Sequence, residues 1–195
     1  MSELNTYLLR LADGLIGGAA KFEELDSAAG DGDLGITAGK IAEGIKSGVS
    51  LSSGDLKADL MLIGREISKS APSTFGTLFA TGFVRASSAV DQSDNPKINL
   101  ENALTAAFEG ISARGKAQLG ERTLLDALSP AIEALVNSSD LETGLKNAAV
   151  AARNGAIATA SMAPKHGRAG WIGERAKGLE DAGANVVATS FEAIS

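Results

Sequence analysis

Between positions 26 and 35 the chain reads Asp-Ser-Ala-Ala-Gly-Asp-Gly-Asp-Leu-Gly, so three carboxylates and three glycines fall within ten residues. Asp26, Asp31 and Asp33 lie between two helical patterns, where a loop can aim all of them at one point. Carboxylates this close repel one another unless a positive charge sits among them. Hard divalent cations take oxygen ligands of this kind, and Mg²⁺ is usually shared with phosphates. The spacing is not that of an EF-hand, whose twelve-residue loop ends on Glu. The competing reading is a glycine-rich turn in which Asp33 caps the next helix. Three acids interleaved with Gly30, Gly32 and Gly35 favour metal–phosphate chemistry over that reading. Gly35 and Thr37 follow at a helix start, where unpaired N–H groups can meet a phosphate.

Three further segments carry polar groups suited to a site. Ser70-Ala71-Pro72-Ser73-Thr74-Phe75-Gly76-Thr77 is either a simple helix break and cap or a second helix start offering N–H and hydroxyl groups to phosphate. Gly115 through Leu128 contains Glu121 and Thr123, which could merely begin a helix; its glycines could also let a planar ring approach the backbone. Gly167-Arg168-Ala169-Gly170-Trp171 runs on through Arg175 to Glu180-Asp181-Ala182-Gly183, where Arg168 or Arg175 could hold a phosphate. His166, the only histidine, has no obvious Ser or Asp partner in sequence and receives no role.

Other chemistries are excluded. With no cysteine there is no thiol nucleophile, zinc-thiolate site or disulfide. No nucleophilic triad can be assembled around a single His. Neither a GxxxxGK[ST] loop nor a GxGxxG fingerprint is present. A net charge of −6 argues against a nucleic-acid partner. No apolar run approaches the roughly 20 residues that span a bilayer. The N-terminus has an early acid and no basic region, unlike a secretory signal, so the expected location is the cytoplasm.

The elements that must position these groups are helical. Leu4, Leu8, Leu11, Leu15 and Phe22 recur at helical steps, and a second helix carrying Ile36, Ile41 and Ile45 starts after Asp33. A third covers about 55–70. Pro72 stops it, and Ser73 or Thr74 caps a fourth that extends to about Val90. A fifth spans roughly 100–116, a sixth runs to about Val136, and an Ala-rich seventh runs from Leu141 to about Met162. Residues 164–178 read as a long loop, and a last helix turns Val187, Phe191 and Ile194 inward. The expected fold is all-α: one domain over residues 1–195, an antiparallel up-and-down bundle of about eight amphipathic helices. With aromatics at 4%, its core must be built mostly from Ala, Leu, Ile and Val. In such a bundle the loops after helices one, three, five and seven fall at one end, and they are the four segments singled out above.

These residues resemble the L subunit of dihydroxyacetone kinase, the nucleotide-binding half of that enzyme (the DhaL type). Asp26 through Gly30-Asp31-Gly32-Asp33-Leu34-Gly35 is similar to that family's Asp-x-x-x-x-Gly-Asp-Gly-Asp-x-Gly signature. Arg114-Gly115-Lys116-Ala117 through Thr123-Leu124-Leu125-Asp126-Ala127-Leu128 resembles its second signature, and Gly167-Arg168-Ala169 with Gly173-Glu174-Arg175 and Asp181-Ala182-Gly183 its C-terminal one. The resemblance covers nearly the whole chain and implies a barrel-like bundle with a nucleotide at one end. It implies two Mg²⁺ ions held by Asp26, Asp31 and Asp33 and bridged to ADP or ATP phosphates. It places the backbone from Leu34 through Gly35 to Thr37 and the Ser73/Thr74 helix start on phosphates. Gly115 and Leu124 flank the adenine, Thr123 is a further nucleotide contact, and Arg168, Asp181, Ala182 and Gly183 contact the nucleotide from the C-terminal loop.

Two positions depart from the family pattern. Leu34 stands where His is common, so a hydrogen-bonding contact near the phosphates is lost or the substrate side differs. Ala71-Pro72-Ser73-Thr74 replaces a Ser-Gly-Pro helix start. In this family the sugar is held covalently by a His on a separate K domain, which these residues do not contain. The resemblance therefore implies half of a kinase for dihydroxyacetone or a related short ketose, acting in glycerol metabolism with a K-type substrate-binding subunit. The phosphoryl donor is either exchanging ATP or a bound ADP rephosphorylated by a phosphotransferase-system protein. A homodimer is compatible with the sequence. The rival readings are a nucleotide-loaded regulatory binding protein without turnover and a Ca²⁺-binding helical protein without nucleotide.

Overall fold

The computed structural model of the chain describes residues 2–90, 95–167, 170 and 178–195. Among them are eight α-helices: α1 (Glu3–Ala29), α2 (Leu34–Ser50), α3 (Leu56–Ser70), α4 (Thr74–Ser87), α5 (Pro96–Gly115), α6 (Leu125–Val136), α7 (Leu141–Ala158) and α8 (Ala182–Ile194). A single 3₁₀ turn, Thr159–Ser161, extends α7. Each helix packs against its neighbours in sequence, and α8 packs against both α7 and α1, so the bundle closes into a ring. The all-α up-and-down expectation holds. Within the ring the α5–α6 seam is the least tightly packed.

The helix starts follow from local chemistry. Ser2, Asp55, Ser73, Asn95, Asp140 and Asp181 each turn a side-chain oxygen back onto an N–H of the first turn, answering donors the helix itself leaves open. Asn95 with Pro96 at the first helical position starts α5 about four residues earlier than its apolar stripe suggests. Only α2 and α6 begin without a side-chain cap of their own.

The core is built from small and aliphatic side chains, as the scarcity of aromatics requires. Leu8, Leu15, Phe22, Ile41, Ile45, Ile63 and Ile67 form one cluster on the α1–α4 side. Leu125, Ala131, Leu135, Ala152, Ala188 and Phe191 form another between α5 and α8. Ile36 is an exception to the expected α2 face: it is 61% exposed, while Thr37 and Ala38 turn inward. A second, apolar cavity of about 230 Å³ is lined by residues of α1, α4, α5 and α8, among them Leu8, Phe83, Leu104 and Phe191. Among the described residues no helix is long and apolar enough to cross a membrane.

Candidate functional site

The connections α1–α2, α3–α4, α5–α6 and α7–α8 meet at one end of the ring around a cavity of about 1100 Å³. The same parity brings the N-termini of α2, α4, α6 and α8 to that mouth. Each brings the positive end of its helix dipole there, a feature that attracts anions.

The acidic wall is built by α1 and α2. The sequence suggests a loop from Asp26 onward, but α1 continues through Ala29, leaving only residues 30–33 as connection. Asp26, in the last turn of α1, accepts hydrogen bonds at Oδ2 from the N–H groups of Asp33 (2.9 Å) and Leu34 (3.2 Å). It thereby supplies the cap that α2 lacks. Asp33 makes no cap bond of its own, so the capping reading of that residue is not what is seen. Glycine is required here twice. A Cβ at Gly30 would lie 2.4 Å from Asp26 Oδ1, and Gly32 has φ +74°. The turn brings carboxylate oxygens of Asp26, Asp31 and Asp33 within 4.8 Å of one another. Three hard oxygen donors at that separation, two of them on exposed residues, fit a divalent cation.

Facing this wall, α4 begins beyond Pro72 with Ser73, Thr74 and Thr77 on the cavity lining. Ser73 Oγ accepts from Gly76 N–H at 3.1 Å, which leaves its hydroxyl proton for an acceptor in the cavity.

The α5–α6 connection forms the third wall. Lys116 and Gly120 turn through positive φ. Asp126, buried in the first turn of α6, then binds the loop from inside, accepting from Gly120 N–H (2.6 Å) and Thr123 N–H (2.8 Å). Arg122, between them, also has positive φ and is 2% exposed; its NH2 donates to the Leu179 carbonyl at 2.9 Å. Thr123 Oγ1 accepts from Leu125 N–H, so Thr123 does help start a helix while lining the cavity.

The fourth wall is the start of α8. Asp181 receives Ala184 N–H on Oδ2 (2.8 Å) and gives its own N–H to Thr159 Oγ1 (2.8 Å). Burial pushes its carboxyl up to about 6, against the opposing pull of those backbone N–H groups and the Arg122 charge. At the rim Glu121 clasps the next loop: His166 Nε2 lies 2.6 Å from its Oε2 and Lys165 Nζ 3.2 Å from its Oε1. The His166 contact first, then the Gln118 N–H and Lys165, hold the Glu121 carboxyl down to about 2.

Twelve residues singled out from sequence line this one cavity: Asp26, Asp31, Asp33, Leu34, Ser73, Thr74, Gly115, Thr123, Leu124, Asp181, Ala182 and Gly183. Gly35 and Thr37 do not line it. Gly35 is pressed against α1, where a Cβ would meet Ala19 O at 2.5 Å, and the buried Thr37 donates its N–H to Asp33 O. Leu34 gives its N–H to Asp26 and is buried in the α1–α4 core, so no titrating side chain stands at that position. Arg168, Trp171 and Arg175 lie outside the described residues. The sequence reading gave no role of their own to Arg122, Asp126 and His166, all three of which take part in building the site. A glycine two residues before Arg122 is the one local hint of its unusual backbone, whereas nothing local announces that His166 meets a glutamate 45 positions away.

A closed ring of antiparallel helices with an acidic trio and four helix starts at one mouth defines an all-α ligand-binding barrel. The chain belongs to the DAK2-domain family, whose model matches residues 28–195. It is 33% identical over 172 residues to the PEP-dependent dihydroxyacetone kinase 1, ADP-binding subunit DhaL, of Listeria innocua, covering 88% of this chain and 83% of that one. It is 30% identical over 182 residues to the L-erythrulose 1-kinase of Mycolicibacterium smegmatis, covering 90% of this chain but 32% of that longer one. The dihydroxyacetone kinase from C. freundii, crystallised with AMP-PNP and Mg²⁺, superposes with a TM-score of 0.79 at 26% identity, over 100% of this chain and 34% of that one.

Proposed function

We propose that this chain is the nucleotide-binding subunit of a dihydroxyacetone-type kinase. It holds ADP or ATP with Mg²⁺ and presents a phosphoryl group to dihydroxyacetone or a related short ketose on a separate K-type subunit. The observation that carries the reading is the convergence of the Asp26/Asp31/Asp33 trio with the starts of α2 and α4 on a cavity of about 1100 Å³, roomy enough for a nucleotide. Phosphoryl transfer demands mainly positioning and charge neutralisation. Asp26, Asp31 and Asp33 would hold the metal, which when bound offsets the phosphate charge. Ser73 and Thr74 would donate to phosphate oxygens, Gly115 and Leu124 would flank the base, and Asp181, Ala182 and Gly183 would close the opposite side. Arg168 is proposed as a further nucleotide contact from the resemblance alone. The L-erythrulose kinase relative supports short ketoses beyond dihydroxyacetone as acceptors.

The test is reconstitution. The chain is mixed with a K-type subunit and either ATP or a phosphotransferase-system donor, and short ketoses are scanned for phosphorylation. Turnover that requires both subunits and Mg²⁺ is expected. A nucleotide that survives dialysis and turns over only with the protein donor identifies bound ADP as the carrier. Tight Mg-ADP binding without turnover with any K-type partner would replace the kinase reading by that of a regulatory nucleotide-loaded protein.

A further inference from the structure

His166 stands on the cavity lining with one ring nitrogen anchored and the other open. Its Nε2 lies 2.6 Å from Glu121 Oε2. Glu121 is held down to about 2, so at neutral pH it is a carboxylate and can only accept. The proton of that contact therefore sits on Nε2. Nδ1 has no partner among the described residues and is not sealed from solvent, and the side chain is 31% exposed.

The ring is fixed from several directions. Lys165 donates its N–H to the Glu121 carbonyl at 3.3 Å and its Nζ to Glu121 Oε1 at 3.2 Å. Gln118 N–H (2.8 Å) holds the Glu121 carboxylate from behind. Beyond His166 the chain turns at Gly167, with φ +62°, and Gly170 N–H closes that turn on the His166 carbonyl at 3.3 Å. A ring that would otherwise swing on a loop is thus stapled across two connections. Glu121 and Lys165 already make both a backbone and a charged contact across the gap, and the imidazole adds to them an unanswered nitrogen on the lining of the cavity.

The tautomer selects the ligand. With the proton on Nε2, Nδ1 of the neutral ring is an acceptor. The oxygens of a magnesium-bound phosphate chain are acceptors too and do not answer it. The nucleoside half does carry donors, in an amino group on the base and hydroxyls on the ribose. The position agrees: Glu121 belongs to the α5–α6 connection, whose Gly115 and Leu124 are proposed to flank the base, whereas the acidic trio belongs to α1 and α2.

We infer that His166 is a nucleoside-binding residue, its Nδ1 accepting a hydrogen bond from the base amino group or a ribose hydroxyl, and that Glu121 is the positioning residue that sets its tautomer and aim. The inference rests on the nucleotide reading above and adds to it a residue that discriminates nucleosides by the donors they carry.

Calorimetric titration of the intact chain tests it. His166→Gln keeps an N–H for Glu121 at the ε position but has no nitrogen at the δ position. It should bind Mg-ADP about three- to tenfold more weakly than the wild type, the scale of one neutral hydrogen bond, and Mg-pyrophosphate equally well. Mg-IDP, which lacks the amino group, Mg-2′-deoxy-ADP and Mg-3′-deoxy-ADP identify the donor: the wild-type advantage over His166→Gln should vanish for the analogue whose donor is missing. Glu121→Ala should weaken Mg-ADP binding in the wild-type chain and add little in the His166→Gln chain, whereas additive losses would remove its positioning role. A staple that touches no ligand would leave His166→Gln binding Mg-ADP like the wild type, which would overturn the inference. So would an equal loss for Mg-ADP and Mg-pyrophosphate, or an advantage that survives in all three analogues. A wild-type chain that binds no ADP removes the nucleotide reading and this inference with it, whereas ADP binding that His166→Gln leaves unchanged removes this inference alone.

Discussion

Asp26 and Asp31 belong to the same acidic trio but should fail differently when changed. Asp26 answers two backbone N–H groups at the start of α2, so Asp26→Ala opens an uncapped helix end and should cost about 1–2 kcal/mol of stability besides weakening metal binding. Asp31 is exposed. Asp31→Ala should shift stability by less than about 0.5 kcal/mol, yet lower Mg-ADP affinity on the order of 100-fold, the scale on which metal sites respond to lost support. Urea melts and calorimetry on the two variants separate these effects, and unchanged Mg-ADP affinity in Asp31→Ala would remove the metal assignment. Asp181 makes a pH prediction. Its folded carboxyl titrates near 6 against 3.8 unfolded. Between about pH 4 and 6 the folded protein therefore holds a proton the unfolded chain has released, and this residue's contribution makes stability fall as pH rises through that window. Glu121 acts with the opposite sign and lower down: from 4.5 it is held to about 2, so its contribution is present above 4.5 and is lost as pH falls towards 2. The difference in urea midpoint between the wild-type chain and Asp181→Asn, which keeps a capping oxygen, should shift against the wild type as pH rises from 4 to 6.

At the scale of the helices, what could be read ahead was whatever depends on local chemistry. Apolar steps of three and four, Pro72, and a cap at Ser73 or Thr74 placed the elements and their order, because periodicity and caps are decided within one or two turns. The extension of α1 through Ala29 was not legible, since glycine signals loop while the group that ends the turn, Asp26, reaches forward to another helix. Arg122 was hidden for a similar reason, its carbonyl partner lying 57 residues on. Ile36 shows the limit of pattern reading: it keeps apolar company in sequence but faces outward, because α2 spends its inward face on close helix approach. There, a Cβ at Gly44 would lie 2.6 Å from Ile67 Cα in α3, backbone that cannot yield without moving a helix. Gly44→Ala should therefore destabilise by about 1–3 kcal/mol. Gly39→Ala in the same helix, where a Cβ meets nothing within 4 Å, should instead gain about 0.5–1 kcal/mol. Chemical denaturation of the pair checks both signs at once.

Taken whole, the molecule is a ring whose four functional connections belong to four different helix pairs, so one ligand seated at that mouth touches every second seam of the barrel, including the loosely packed α5–α6 seam. A ligand that binds only the folded ring stabilises it by mass action, by about 2.7 kcal/mol at a hundred times its Kd. For a chain of this size each kcal/mol moves the melting point about 2–4 °C, so saturating Mg-ADP should raise it by about 5–10 °C. The metal dependence of that shift tests how the mouth works. The trio brings three negative charges to the wall where the phosphates are proposed to sit, so ADP in EDTA must overcome their repulsion and should raise the melting point little or not at all. Mg²⁺ alone relieves the trio but leaves the other three walls untied, and should give only a small shift. An equal shift with ADP in EDTA would show that the acidic trio is not the phosphate side of the site. A shift with Ca²⁺ that ADP does not enlarge would instead describe a helical metal-binding protein whose cavity takes no nucleotide.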